Sequence, residues 1–177
     1  MSTIIGGSSP SVTFSDSTTQ TTAFTGSASQ ITSGTLPSAQ LPTGSVLQVV
    51  NANTTTNTST TSTSFVATAV STSITPKFSN SKILINISSA VYVPSNEQCW
   101  LTIYRNSTEL SGSTAGFSYV WFAGQRGVMP STISYLDSPA TTSSTTYTLY
   151  FRTTSGTASD TPNNGTKATI TLMEIAG

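Results

Sequence analysis

Between Ser81 and Val93 the chain reads SKILINISSAVYV, and its apolar residues recur at every second position. Ile83, Ile85, Ile87, Ser89, Val91 and Val93 share one side, while Lys82, Leu84, Asn86, Ser88, Ala90 and Tyr92 share the other. Period two marks a strand with one buried face. The β-branched and aromatic residues suit a pleated surface. In a helix, at about 100° per residue, Ile83, Ile85 and Ile87 would point in three directions. A strand this long needs neighbours on both edges, so the rest of the chain must supply a sheet.

The same alternation recurs from Gly44 onward. Val46–Val50 is a short apolar run, and the low-complexity tract 51–64 reads as a loop or edge ribbon. Phe65–Thr75 sets Val66, Val70 and Ile74 against Phe65, Ala67 and Ala69, and Pro76 stops it. Cys99, Leu101 and Ile103 oppose Trp100, Thr102 and Tyr104, and Arg105-Asn106-Ser107-Thr108 signals a hairpin. Phe117–Ala123 is apolar on both faces, with Phe117, Tyr119 and Trp121 against Val120 and Phe122; Pro130 is expected to end the segment that follows. Thr132–Asp137 reads as a short strand. Tyr147, Leu149 and Phe151 share a face, and Thr166–Ile175 sets Ala168, Ile170 and Leu172 against Met173 and Ile175.

These are about eight strands with turns at regular intervals and no helical period. The pattern predicts an all-β fold, an antiparallel β-sandwich of jelly-roll type, over residues 44–177. Residues 1–43 are different: Ile4, Ile5, Val12, Phe14, Phe24, Ile31, Leu36 and Leu41 stand singly among small polar residues. Such a segment cannot bury a core alone. The steps Leu36-Pro37 and Leu41-Pro42 favour an extended path. It is expected to be an arm that docks on a partner or winds with copies of itself, with Ile4, Ile5, Val12, Phe14, Phe24 and Ile31 as its attachment residues.

A strand with two apolar faces has more to bury than one sandwich can cover. This predicts a homotrimer with an aromatic-lined axis, against the alternative of a monomer with ordinary surface aromatics. Three ring clusters, Trp100 with Tyr104, Tyr119 with Trp121, and Tyr147 with Phe151, are candidates for core, subunit interface or glycan contact. Arg126, between glycines, is a candidate partner contact.

Composition narrows the chemistry. Ser and Thr make up about two-fifths of the chain, while charged residues are only 7%. Six basic and six acidic side chains cancel, leaving no field to attract nucleic acid or an anionic membrane. No apolar run is long enough for a membrane helix, and no secretory signal is visible at the N-terminus. The five N-x-S/T triplets, at Asn53, Asn57, Asn86, Asn106 and Asn164, are therefore expected to stay unmodified. There is no histidine, which excludes catalytic triads and imidazole acid–base work. The single cysteine, Cys99, excludes a thiolate zinc site; it is read as a core thiol, with a reactive or intermolecular one as the alternative. No cofactor is expected. Among the acids, Glu97 and Glu109 bracket one strand and are the one pair to consider for glycoside hydrolysis. Acids at turns and strand ends are otherwise expected to be solvated, so no enzyme is predicted.

Several phrases carry a resemblance: SPSVTFSDSTTQTTAFTG, ITSGTLPSAQLPTGSVLQVV, SITPKFSNSKILINIS, IYRNSTEL, SYLDSPATTSSTTYTLYF and the ending ITLMEI. Together they resemble tail-fibre-like virion proteins of tailed bacteriophages, those of cyanophages and other aquatic phages in particular. The resemblance covers nearly the whole chain and consists of ordered phrases without a catalytic signature, so no functional residue transfers. It implies a virion structural protein, assembled in the host cytoplasm, with an attaching arm and an outward β-domain that is typically trimeric. The β-domain is also similar in pattern to tumour-necrosis-factor-like jelly rolls. Expected partners are copies of itself, other virion proteins of tail, neck or capsid, and a host surface glycan. With no repetitive shaft, the chain is expected to be a short fibre or fibre segment, or else a small decoration protein; a glycan-binding adhesin is the alternative from another class.

Overall fold

The computed structural model describes residues 12–13, 19–20, 38–155, 159–162 and 164–177. The chain divides into two units, Met1–Pro37 and Ser38–Gly177. In the first, Val12–Thr13 pairs antiparallel with Thr19–Gln20. Val12 thus lies on a backbone ladder, while Ile4, Ile5, Phe14, Phe24 and Ile31 lie outside the described residues.

The second unit opens with a 3-10 turn, Ser38–Gln40, and continues as strands. In chain order they are β1 Val46–Thr54, β2 Thr58–Thr60, β3 Val66–Ile74, β4 Lys82–Val93, β5 Gln98–Arg105 and β6 Thr108–Glu109. There follow β7 Ser118–Trp121, β8 Gly127–Asp137, β9 Thr145–Thr153, β10 Ser159–Thr161 and β11 Ala168–Ile175. Every pairing is antiparallel. One sheet has the order β1-β11-β4-β8, with β10 and β2 continuing beyond the end of β11; the other has β3-β9-β5-β7, with β6 beside β7 on the same edge of β5. The eight longer strands therefore form a jelly-roll sandwich of two four-stranded sheets. The three short strands, β2, β6 and β10, are what the sequence pattern left out.

β4 is paired on both edges, as its length demands. β8 runs along one edge from Ile83 to Val93; the other is shared by β11 as far as Ser88 and by β10 at Tyr92. Its alternate residues Ile83, Ile85, Ile87, Val91 and Val93 are buried in the core. Cys99, Leu101 and Ile103 from β5, Tyr147, Leu149 and Phe151 from β9, and Ala168, Ile170 and Leu172 from β11 meet them there. Ser89 holds an inward position, and its hydroxyl lies 2.7 Å from that of Thr161 on β10. A polar residue is tolerated on the core face because this partner satisfies it.

Two boundaries differ from those expected. Pro130 does not end a segment: it lies inside β8, opposite Ala90. β8 pairs only with β4, and on an edge strand the missing N–H can face outward without loss of a ladder bond. The apolar run Val46–Val50 is also longer than expected, since β1 runs on to Thr54; of the two readings of the low-complexity tract the edge ribbon holds, with β1 and β2 both at sheet edges. Val50 and Ala52 turn to the core while Asn51 hydrogen-bonds across to Thr171, so alternation survives in Asn and Thr.

The turns follow local chemistry. Asn106 takes φ +53° in the β5–β6 hairpin, a conformation that Asn tolerates better than most residues, and its side chain accepts from the Thr146 amide at 3.0 Å. Asn96, at φ +59°, accepts from the Gly124 amide at 2.8 Å. Gly116 is obligatory where the loop before β7 crosses β5: a Cβ there would meet the Leu101 carbonyl oxygen at 2.4 Å.

Candidate functional site

The most distinctive surface is the outer face of the β3-β9-β5-β7 sheet. Period two turns Trp100 and Tyr104 of β5, Tyr150 and Arg152 of β9, and Tyr119 and Trp121 of β7 outward, while Thr102, on the same side of β5, is fully buried. Register then aligns them. Arg152 lies opposite Trp100, and Trp100 opposite Tyr119. Phe65, just before β3, continues the row, since Val66 pairs with Phe151. The Arg152 guanidinium sits 5.3 Å from the Phe65 ring centre and 5.4 Å from that of Trp100, and Trp100 stacks on Tyr119 at 4.9 Å. The Arg152 guanidinium also donates to the Thr114 carbonyl at 3.0 Å, which ties the loop before β7 to β9. A cation between two aromatic faces stabilises the row electrostatically.

Tyr104 and Trp100 share this face but do not meet. Tyr104 stacks instead on Tyr150, ring centres 3.9 Å apart. Tyr119 and Trp121 stand side by side and half exposed. Arg126 is exposed in the loop between β7 and β8. For the third ring pair the core alternative holds: Tyr147 and Phe151 are fully buried and offer a ligand nothing. Phe65, Tyr150 and Arg152 were not singled out from sequence. The parity of β9 places Tyr150 and Arg152 outward, but the register that builds the row is a tertiary fact.

Four of the acids, Glu97, Glu109, Asp137 and Glu174, are not the solvated groups expected. Glu97 is fully buried at the start of β5. It accepts from the amides of Gln98 (2.8 Å), Thr154 (2.9 Å) and Ser155 (3.1 Å), and from the hydroxyls of Thr154 (2.6 Å) and Ser155. Burial alone would raise its pKa, but the Ser155 and Thr154 hydroxyls and the amides outweigh burial and hold it at about 2. Glu109 accepts from the Ser111 and Gly112 amides, both at 2.9 Å, and from the Thr102 hydroxyl. Glu174, also fully buried, accepts from Gln48 and from the Lys77 amide at 2.7 Å. In both, burial is again outweighed by such donors, and the pKa lies below the usual range. Asp137 pairs with Arg105 at 2.8 Å and accepts from the Tyr147 hydroxyl at 2.7 Å. Each of these acids ties a strand end or loop to its neighbours.

Glu97 and Glu109 do not converge. Glu109 pairs with Tyr104, seven residues along β5 from Glu97, about 23 Å at the usual strand rise. A glycosidase needs its carboxyl groups within about 10 Å. Among the described residues, no three His, Cys, Asp or Glu side chains gather as metal ligands. Cys99 is the buried core thiol: burial, with the Glu97 charge adding to it, pushes its pKa up to about 12, so the nucleophilic thiolate is suppressed.

The Tyr147 hydroxyl gives a direct check on the buried polar cluster. Burial, then the hydrogen bond to Asp137 and that carboxylate's charge, raise its pKa. Tyr147→Phe removes one charge-assisted bond and should lower unfolding free energy by about 1.5–3 kcal/mol in urea titrations with an unchanged slope. A variant as stable as the parent would show that the bond contributes nothing net.

No known family model matches the chain, and no curated protein matches it. No helix among the described residues is long and apolar enough to cross a membrane.

Proposed function

We propose that this chain is a structural protein of a tailed-phage virion, a short trimeric fibre held to the particle by its N-terminal arm, with the sandwich as its outward head. The observation that carries the reading is an inversion of roles. Glu97, Asp137 and Glu174 are turned inward to hold loops and strand ends, while Val46, Val49, Tyr119, Trp121, Val128, Met129 and Leu136 stand outside. A body built in this way is suited to making contacts rather than turning over a substrate. Its neutral net charge and the phrases that resemble those of tail-fibre-like proteins support the same reading.

A second reading, attachment to host glycans, is favoured by one feature. Tyr119 and Trp121 stand half exposed about 7 Å apart on one strand, opposite Trp100 and Gln98, and sugar rings pack on exposed aromatic faces. Decoration of the capsid would use the same fold with a different location.

The test is immunogold labelling of purified particles of the encoding phage with antibody raised against residues 38–177. Gold at the tail is the expected result. Gold spread over the capsid would make the protein a decoration protein, and particles without label would overturn the virion reading altogether.

A further inference from the structure

Along one edge of β4 the chain leaves the sheet and returns to it. Asp160 on β10 lies opposite Tyr92, and Thr169 on β11 lies opposite Ser88. Nine residues of this segment therefore span four of β4, and the surplus stands out from the sheet edge as a loop ahead of β11. Asn164 and Gly165 turn within it, at φ +53° and +71°, and both are exposed. Neither belongs to a strand ladder. A Cβ added at Gly165 would meet nothing within 4 Å, so the peptide between the two residues is open to water.

Of nine asparagines in the chain, only Asn164 is followed by glycine. The amide nitrogen after an asparagine can close a five-membered ring on its Cγ, provided that the peptide between them rotates and the nitrogen reaches the side chain. A Cβ on the following residue hinders both movements, whereas glycine has none and takes either sign of φ. Elsewhere the asparagines are held or hindered. Asn51, Asn53 and Asn86 lie in strand ladders. The Asn96 and Asn106 carboxamides accept the Gly124 and Thr146 amides, and that of Asn80 donates to the Gly177 carbonyl at 2.9 Å. Asn57 is exposed but precedes the β-branched Thr58.

We propose that Asn164 is a site of spontaneous deamidation. The Gly165 amide nitrogen gives up its proton and attacks Cγ of Asn164. The bond from that nitrogen to Cγ forms, the bond from Cγ to Nδ2 breaks, and Nδ2 leaves with a proton as ammonia. Water then opens the cyclic imide at either of its two carbonyls, giving aspartate or isoaspartate. One water is consumed and one ammonia released, and nothing is oxidised or reduced. Because the turn lies outside both sheets, the modified chain keeps its sandwich. A chain with no net charge gains one negative charge, three residues from the exposed Lys167. This chemistry is independent of the virion reading.

The experiment incubates the full chain in mildly alkaline buffer, folded and in urea, and follows its peptides by mass spectrometry with fragmentation. Residue 164 of the folded chain should change from amide to acid before any other asparagine. It should give two products of equal mass, aspartate and isoaspartate. Asn164→Gln, which would have to close a six-membered ring, should show no conversion there over the same time. The urea unfolding midpoint should not move as conversion proceeds. No conversion at 164, earlier conversion at another asparagine, or aspartate as the sole product, which marks direct hydrolysis, would each overturn the site. Conversion in urea but not in the folded chain would also overturn it, because the fold would then hold the side chain away from the nitrogen. A midpoint that falls with conversion would overturn the claim that the sandwich is indifferent to the change.

Discussion

Replacing Ile85 with aspartate yields a chain that does not fold. Ile85 lies midway along the core half of β4, between Tyr135 of β8 and Leu172 of β11, and has no exposed surface. Removing its side chain alone costs about 2–5 kcal/mol, the usual range for a large aliphatic cut back in a packed core. The carboxylate then adds several kcal/mol, since no cation lies opposite it on either neighbour. Together these reach the 5–15 kcal/mol that holds a typical domain folded. The expected readout is insoluble protein, or soluble protein without a cooperative unfolding transition. Ile85→Val, which removes one methylene, should cost only about 0.5–1.5 kcal/mol and serves as the control. A soluble, cooperatively folding Ile85→Asp protein would mean that this position is not in the core.

The second large effect is at Glu97. Glu97→Ala leaves the amides of Gln98, Thr154 and Ser155 without their shared acceptor, and should lower stability by about 3 kcal/mol at neutral pH. The same figure follows from titration. The carboxyl shifts from 4.5 to about 2, and each unit is worth about 1.4 kcal/mol. Because the folded-state pKa is depressed, the contribution is complete above about pH 4.5 and is lost as pH falls through about 2. Glu109 and Glu174 are displaced in the same direction, so the parent should weaken steadily on acidification below about pH 4.5. Urea titrations at pH 7 and at pH 2.5 check this. The gap between parent and Glu97→Ala should be wide at pH 7 and much narrower at pH 2.5. A gap that is the same at both would show that the charge of Glu97 does not support the fold.

The Ile85 and Glu97 cases mark where sequence reading succeeds and where it stops. Ile85 was assigned to the core by parity alone, and the same logic correctly faced Cys99, Leu101 and Ile103 away from Trp100 and Tyr104. Glu97 was expected to be solvated because an acid at a strand end usually is. Its burial depends on Thr154 and Ser155, more than fifty residues away, which bring donors to it only when β9 pairs with β5. The candidate rings divide in the same way. Parity put Tyr147 and Phe151 on one face without saying whether that face was the core or a surface, and only sheet packing decided it.

What the sequence by itself determined is the class of the fold, the strand faces and the turns, because period two and turn chemistry are local and are written in adjacent residues. Pairing order and register belong to the tertiary structure, because they join segments far apart in the chain and no single segment encodes its partner. Register sets Val49, Met173, Leu84 and Leu136 in one row and Phe65, Arg152, Trp100 and Tyr119 in another. Residues that alternation merely turns outward become continuous surfaces only when four strands bring them level.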